Sequence, residues 1–130
     1  MGKMIGQIAG SRGHQVVARI DSPSDIPSFS EMDVAIDFSH PGSAADNIRR
    51  CLLAGVPVVS GTTGWLDRYE EISGLCQEVG GAFLYASNFS LGMNLFFELN
   101  AHLARLMSGA SGYIAERTEN HDNVKLHAPS

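Results

Sequence analysis

From residue 33 onward the sequence repeats one pattern: a short apolar run, a turn built from Gly, Ser, Thr, Pro or Asn, and a longer amphipathic run. Asp33–Phe38 leads through Ser39-His40-Pro41-Gly42 into a helical pattern carrying Asn47, Ile48, Cys51, Leu52 and Ala54, which closes on Gly55. Val56–Ser60, Gly61-Thr62-Thr63-Gly64 and Trp65–Val79 follow, closed by Gly80-Gly81; then come Ala82–Ala86, Ser87–Ser90 and Leu91–Met107. Proline at a helix start and glycine just past its end punctuate these helices. Parallel strands need a crossover between them, and a helix supplies it. Strict alternation with short links therefore predicts an α/β fold, a doubly wound parallel sheet with helices on both faces. In the last helix Leu95, Leu99, Leu103 and Leu106 form one apolar stripe, and Ser90 is placed to cap it.

The flanks extend the pattern. Residues 3–11 place Met4, Ile5 and Ile8 at helical spacing, with Arg12-Gly13 as the helix end. His14–Asp21 is apolar, β-branched and ends on an acid, as a buried parallel strand would. Residues 22–32, with two prolines and four serines, predict a surface loop. After Gly109 a last strand is expected at Tyr113–Thr118, and a polar tail follows.

A length of 130 residues with 44% hydrophobic content suits one compact domain. There is no internal repeat, no apolar run long enough to cross a bilayer and no secretory signal pattern, which predicts a cytoplasmic protein without a membrane partner. Cys51 and Cys76 sit in helical patterns without the close spacing of a metal or redox pair, and read as buried free thiols. A net charge of −5 with scattered Lys and Arg argues against nucleic acid and for small-molecule ligands.

Ligands of open parallel sheets bind at the carboxyl ends of the strands. Asp21 is placed there to accept hydrogen bonds from a ribose diol, although a solvated loop acid fits the same position. Phe38 can lie along a nicotinamide or adenine ring, or simply close the core. In Gly61-Thr62-Thr63-Gly64 the glycines allow close backbone approach and the hydroxyls offer hydrogen bonds; a plain tight turn has the same composition. Ser87-Asn88-Phe89-Ser90 can hold a polar head group at a helix start, while capping and turn chemistry account for Ser90 and Asn88 equally. Glu119, His121, Asp122, Lys125 and His127 crowd the tail, where a His that changes charge and a Lys that donates suit proton transfer; a disordered polar terminus reads alike. No Cys accompanies these histidines and their spacing fits no compact zinc site, so no metal is expected.

Taken together, Asp33–Phe38 with Ser-His-Pro, Gly55–Trp65 with its Gly-Thr-Thr-Gly turn, Ala86–Asn94 with its Ser-Asn-Phe-Ser turn, and Glu119-x-His121-x-x-x-Lys125-x-x-Ala-Pro-Ser130 resemble the 4-hydroxy-tetrahydrodipicolinate (dihydrodipicolinate) reductase family. The resemblance runs from Met1 to Ser130. It implies a Rossmann-like, NAD(P)H-dependent reductase of lysine and diaminopimelate synthesis, with a cyclic dicarboxylate substrate, tetrameric through a second domain. It further implies cofactor contacts from Asp21, Gly61, Thr62, Thr63, Ala86, Ser87, Asn88 and Phe89, an acid/base role for His121 and proton delivery by Lys125; the strand-end position adds Phe38 to the cofactor contacts. Asp122 and Ser130 would face the substrate. An acid at Asp21 suits NADH better than NADPH, whose 2′-phosphate it would repel.

The same resemblance marks departures. Family members open with a strand and a Gly-x-x-Gly-x-Met-Gly loop, of which Met1-Gly2 match the last two residues, so the first strand and the pyrophosphate loop are expected to be missing. Asp122 stands where the family has a second His, His127 where it has Asp, and the family motif continues past the serine with Gly-Thr. The implied division is a partial dinucleotide-binding domain over 1–118 and the start of a catalytic segment over 119–130. An incomplete reductase is the reading these features give, and a non-catalytic nucleotide-binding remnant is its rival.

Overall fold

Three parallel strands, β1 (Ala35–Asp37), β2 (Val58–Ser60) and β3 (Phe83–Tyr85), lie side by side in sequence order in a computed structural model that describes residues 1–21, 28–114, 116 and 118. Ala35 is level with Val58 and Phe83, and Asp37 with Ser60 and Tyr85. Helices α1 (Gly2–Ser11), α2 (Pro41–Leu53), α3 (Tyr69–Glu78) and α4 (Leu91–Met107) alternate with them. The arrangement is that of a partial Rossmann-like α/β fold. The chain falls into two compact units, Met1–Tyr85 and Ala86–Ser130.

Within the first unit the pleat sends Ala35, Asp37, Val58, Ser60, Phe83 and Tyr85 to one face, and α2 and α3 cover it. Ala44, Ala45, Ile48, Cys51 and Leu52 of α2 meet Ile72 of α3, Val58 and Trp65 in the core. The Trp65 ring stands edge-on to Tyr85 at 5.5 Å between centroids and tilted to Phe83 at 5.9 Å. The helix ends follow from sequence chemistry. Pro41 opens α2, where a missing N–H costs nothing, and the His40 side chain caps it by accepting from the Gly42 amide at 3.3 Å. Gly55 and Gly80, at φ +73° and +62°, turn the chain out of α2 and α3 in the left-handed conformation that glycine adopts without strain.

The expected boundaries shift by a residue or two, as hydrogen-bonded ends do. The run read as one helix from Trp65 to Val79 begins with a single 3-10 turn, Leu66–Arg68, before α3. Within the expected loop, Phe29–Glu31 makes another such turn, capped by the Ser28 hydroxyl; residues 22–27 lie outside the described residues.

The strand expected at His14–Asp21 is not formed. Apolar composition makes a strand only where a neighbour supplies ladder partners. Residues 14–21 join no sheet among the described residues, and Val16, Val17 and Ile20 stay 39–48% exposed. The His14 amide instead donates back to the Ala9 carbonyl at 3.0 Å, and the Arg19 guanidinium occupies the space that a Cβ on Gly6 would take. Tyr113 and Ile114, where the last strand was expected to start, are likewise not in a strand. Ala115, Arg117 and the whole tail from Glu119 lie outside the described residues.

In the second unit α4 has the expected bounds, and its Ser90 hydroxyl accepts from the Met93 amide at 3.4 Å. No helix among the described residues is long and apolar enough to cross a membrane.

Candidate functional site at the strand ends

Among the described residues the buried polar side chains are Asp37, Ser60 and Thr62, and all three are bonded to one another. Asp37 ends β1 and Ser60 ends β2 at the same level of the sheet, so their side chains project from the same face. Asp37 Oδ2 accepts from the Ser60 hydroxyl at 3.0 Å and from the Thr62 hydroxyl at 2.7 Å, while Oδ1 accepts from Asn47 Nδ2 at 3.2 Å. The Thr62 oxygen in turn accepts from the Ser39 amide at 2.8 Å, and Asn47 also donates to the Ser39 hydroxyl at 3.1 Å. One carboxylate thus ties together the turn after β1, the turn after β2 and the first half of α2. A buried acceptor left without its donors costs about 1–3 kcal/mol, so each tie holds firmly.

Two further contacts fix the turn after β2. The Trp65 indole donates to the Thr62 carbonyl at 2.7 Å, and the Gly61 amide donates to the Asp37 carbonyl at 2.9 Å. The Phe38 ring lies against Gly61, where any Cβ would fall into the ring carbons; glycine is required there for space. Thr62 is therefore held at its amide, carbonyl and hydroxyl. Thr63, the next residue, is half-buried, and its hydroxyl has no hydrogen-bond partner among the described residues. The two threonines of the turn differ: the first is bonded inward, and the second keeps a hydroxyl without a hydrogen-bond partner among the described residues.

Electrostatics follow the same pattern. Burial, followed by the negative charge of Asp37, pushes the Cys51 thiol up from its ordinary value, and burial raises the Tyr85 phenol. Cys51 is buried and stays protonated, as a free thiol in a core should. On the outer side of α2 and α3, Arg68 bonds both oxygens of Glu71 at 2.9 Å and Asp46 at 2.9 Å, which raises the guanidinium and lowers the Glu71 carboxyl.

Of the residues singled out from sequence, Phe38, Gly61, Thr62 and Thr63 come together at the carboxyl ends of β1 and β2. Asp21 is exposed and takes no part in their network. Ala86, Ser87, Asn88 and Phe89 belong to the second unit. There Asn88 Oδ1 accepts from the Ser90 amide at 2.8 Å, and Asn94 Nδ2 donates to the carbonyls of Asn88 at 3.1 Å and Ser90 at 2.8 Å. Turn chemistry and capping thus account for Asn88 and Ser90, and the turn is preformed. His121, Asp122, Lys125 and Ser130 lie outside the described residues.

Sequence reasoning missed Asp37, Ser60 and Asn47. Its signal was an acid inside the apolar run Asp33–Phe38, matched by a serine at the end of the next run. A carboxylate is kept in such a place when polar partners meet it.

A family model described as dihydrodipicolinate reductase, N-terminus, matches residues 1–89, which carry β1, β2, β3 and the whole Asp37 network. The chain belongs to the dihydrodipicolinate reductase family. It is similar along its full length to proteins named 4-hydroxy-tetrahydrodipicolinate reductase, with 47% identity to that of Christiangramia forsetii, 35% to that of Alkaliphilus oremlandii and 34% to that of Methanopyrus kandleri. The chain covers 55%, 54% and 47% of these relatives, so it spans about half the length of the family members it matches. Family membership and the three-stranded parallel sheet agree on a nucleotide-binding α/β framework.

Proposed function

We propose that this chain forms the cofactor half of an NAD(P)H-dependent reductase acting on 4-hydroxy-tetrahydrodipicolinate, in the synthesis of diaminopimelate and lysine. The observation that carries the proposal is the turn Gly61-Thr62-Thr63, held rigidly at the strand ends with one hydroxyl open. Its relatives' printed name supplies the reaction and the substrate.

The residues present fit a nicotinamide dinucleotide. Gly61 brings backbone and the Phe38 ring to the same spot, and the Thr63 hydroxyl is available to an amide. In this reading Phe38, Gly61, Thr62 and Thr63, with Ala86, Ser87, Asn88 and Phe89, hold the nicotinamide end, and Asp21 takes the adenosine ribose. That acid favours NADH, whose ribose keeps both hydroxyls. The cofactor, when bound, supplies the hydride. His121 takes the acid/base role, Lys125 delivers the proton that follows hydride addition, and Asp122 and Ser130 face the dicarboxylate. A cation beside two carboxylates both orients the ring and shortens the path of the proton. In this reading the dinucleotide-binding part covers 1–118 and the catalytic segment begins at 119. Activity in a cytoplasmic tetramer completes the reading.

The test is a titration of the chain with NADH and with NADPH, following nicotinamide fluorescence. Saturable binding, tighter for NADH, is expected; loss of the NADH preference in Asp21→Ala would support the ribose assignment. Absence of any saturable change with either nucleotide would overturn the proposal.

A further inference from the structure

We infer that Asp37 is a positioning residue of the cofactor site, acting through Thr62 to set the turn that presents Thr63. The inference rests on the cofactor reading above and adds a residue to it. A threonine in a ligand-binding turn is ordinarily expected to offer its hydroxyl to the ligand. Here the Thr62 hydroxyl is already engaged as donor and as acceptor: it donates to Asp37 Oδ2 at 2.7 Å and accepts from the Ser39 amide at 2.8 Å, in a residue only 5% exposed. Its carbonyl is taken by Trp65 and its amide by Ser60. Thr62 therefore has no free donor to offer a ligand unless the network opens, and what it gives the site is the shape of the turn.

Asp37 is the centre of that network because it alone bonds to all of the other parts: Ser60 on the neighbouring strand, Asn47 on α2 and Thr62 in the turn. Through Ser39 the same bonds also place the backbone beside Phe38. Asp37 is nine-tenths buried and its carboxylate oxygens are taken by Ser60, Thr62 and Asn47, so its role is to fix geometry and not to meet the cofactor. Misplacing a contact group by an ångström is enough to weaken binding severely, which is what a rigid anchor prevents.

Trp65, the single tryptophan, reports on the turn directly because its indole bonds to Thr62. The experiment compares Asp37→Ala, Thr62→Val and Thr62→Ser, with Ile72→Val as a core variant on α3 that takes no part in the hydrogen-bond network. Each is read by Trp65 emission without nucleotide, by NADH affinity well below its unfolding midpoint, and by far-UV circular dichroism. Asp37→Ala and Thr62→Val are expected to shift Trp65 emission and weaken NADH binding about tenfold or more, since Thr62→Val removes two buried hydrogen bonds and Asp37→Ala three. Thr62→Ser keeps the hydroxyl and should restore both signals, while Ile72→Val lowers the midpoint and leaves affinity unchanged. If Thr62→Val, folded by circular dichroism, binds NADH as tightly as the parent, the positioning role is overturned and the cofactor reading stands. If the parent itself shows no saturable binding, the cofactor reading fails and this inference falls with it.

Discussion

The indole of Trp65 donates a 2.7 Å hydrogen bond to the carbonyl oxygen of Thr62, joining the aromatic core to the turn at the end of β2. Trp65 is 2% exposed, so neither partner can turn to water if the other is removed. Trp65→Phe should keep most of the packing against Phe83 and Tyr85 but orphan the Thr62 carbonyl. A loss of about 2–4 kcal/mol is expected from the unmet acceptor and the smaller ring, measured by urea unfolding.

Gly61→Ala tests the close approach of Phe38. The added methyl would overlap the ring, so the ring or the turn must move. Overpacking of this kind costs about 1–3 kcal/mol. The unfolding midpoint should fall and NADH affinity with it; a variant as stable and as tight-binding as the parent would show that the contact is dispensable.

Cys51 and Cys76 should differ in reactivity. Burial and the charge of Asp37 raise the Cys51 thiol, so its thiolate is scarce, whereas Cys76 is only partly buried. Mass spectrometry after brief alkylation should find label on Cys76 first and on Cys51 only as the fold opens. The sign of the linkage follows from the raised value. The folded state holds this proton longer than the unfolded chain, so the contribution to stability is full below the ordinary thiol value and is lost as pH rises through the raised one. Cys51→Ala should flatten that alkaline decline.

Arg68 joins Asp46 on α2 to Glu71 on α3 at the surface. Exposed pairs are screened by salt, and Arg68→Ala should lower the unfolding midpoint slightly in dilute buffer and hardly at all in concentrated salt. Arg68 holds the Glu71 carboxyl below its usual range. That contribution is present above the ordinary carboxylate value and is lost as pH falls through the depressed one. Equal effects of Arg68→Ala at low and high salt would mean that the side chain acts by packing instead.

Where punctuation residues stood at helix ends, the elements were legible in sequence. Pro41, Gly55, Gly80 and Ser90 bound α2, α3 and α4 within a residue or two of the expected places. His14–Asp21 was misread because periodicity reports apolar character and not the presence of a ladder partner. At the site, Phe38 and the Gly61-Thr62-Thr63 turn were visible as strand-end loops, yet their division of roles was not. Whether a threonine hydroxyl faces inward or outward depends on Asp37, a residue 25 positions away whose side chain meets it only through the parallel register of β1 and β2. Local sequence carries no record of such a pairing.

The central claim is that a nicotinamide dinucleotide binds at the turn fixed by Asp37. Titrating NADH into the isotope-labelled chain, and following the backbone amides of Gly61 and Thr63 and the indole N–H of Trp65 by NMR, tests it most directly. The expected result is saturable shifts that are largest at Gly61 and Thr63 and follow one binding curve. Saturable binding that leaves those amides and the Trp65 indole unmoved would contradict it.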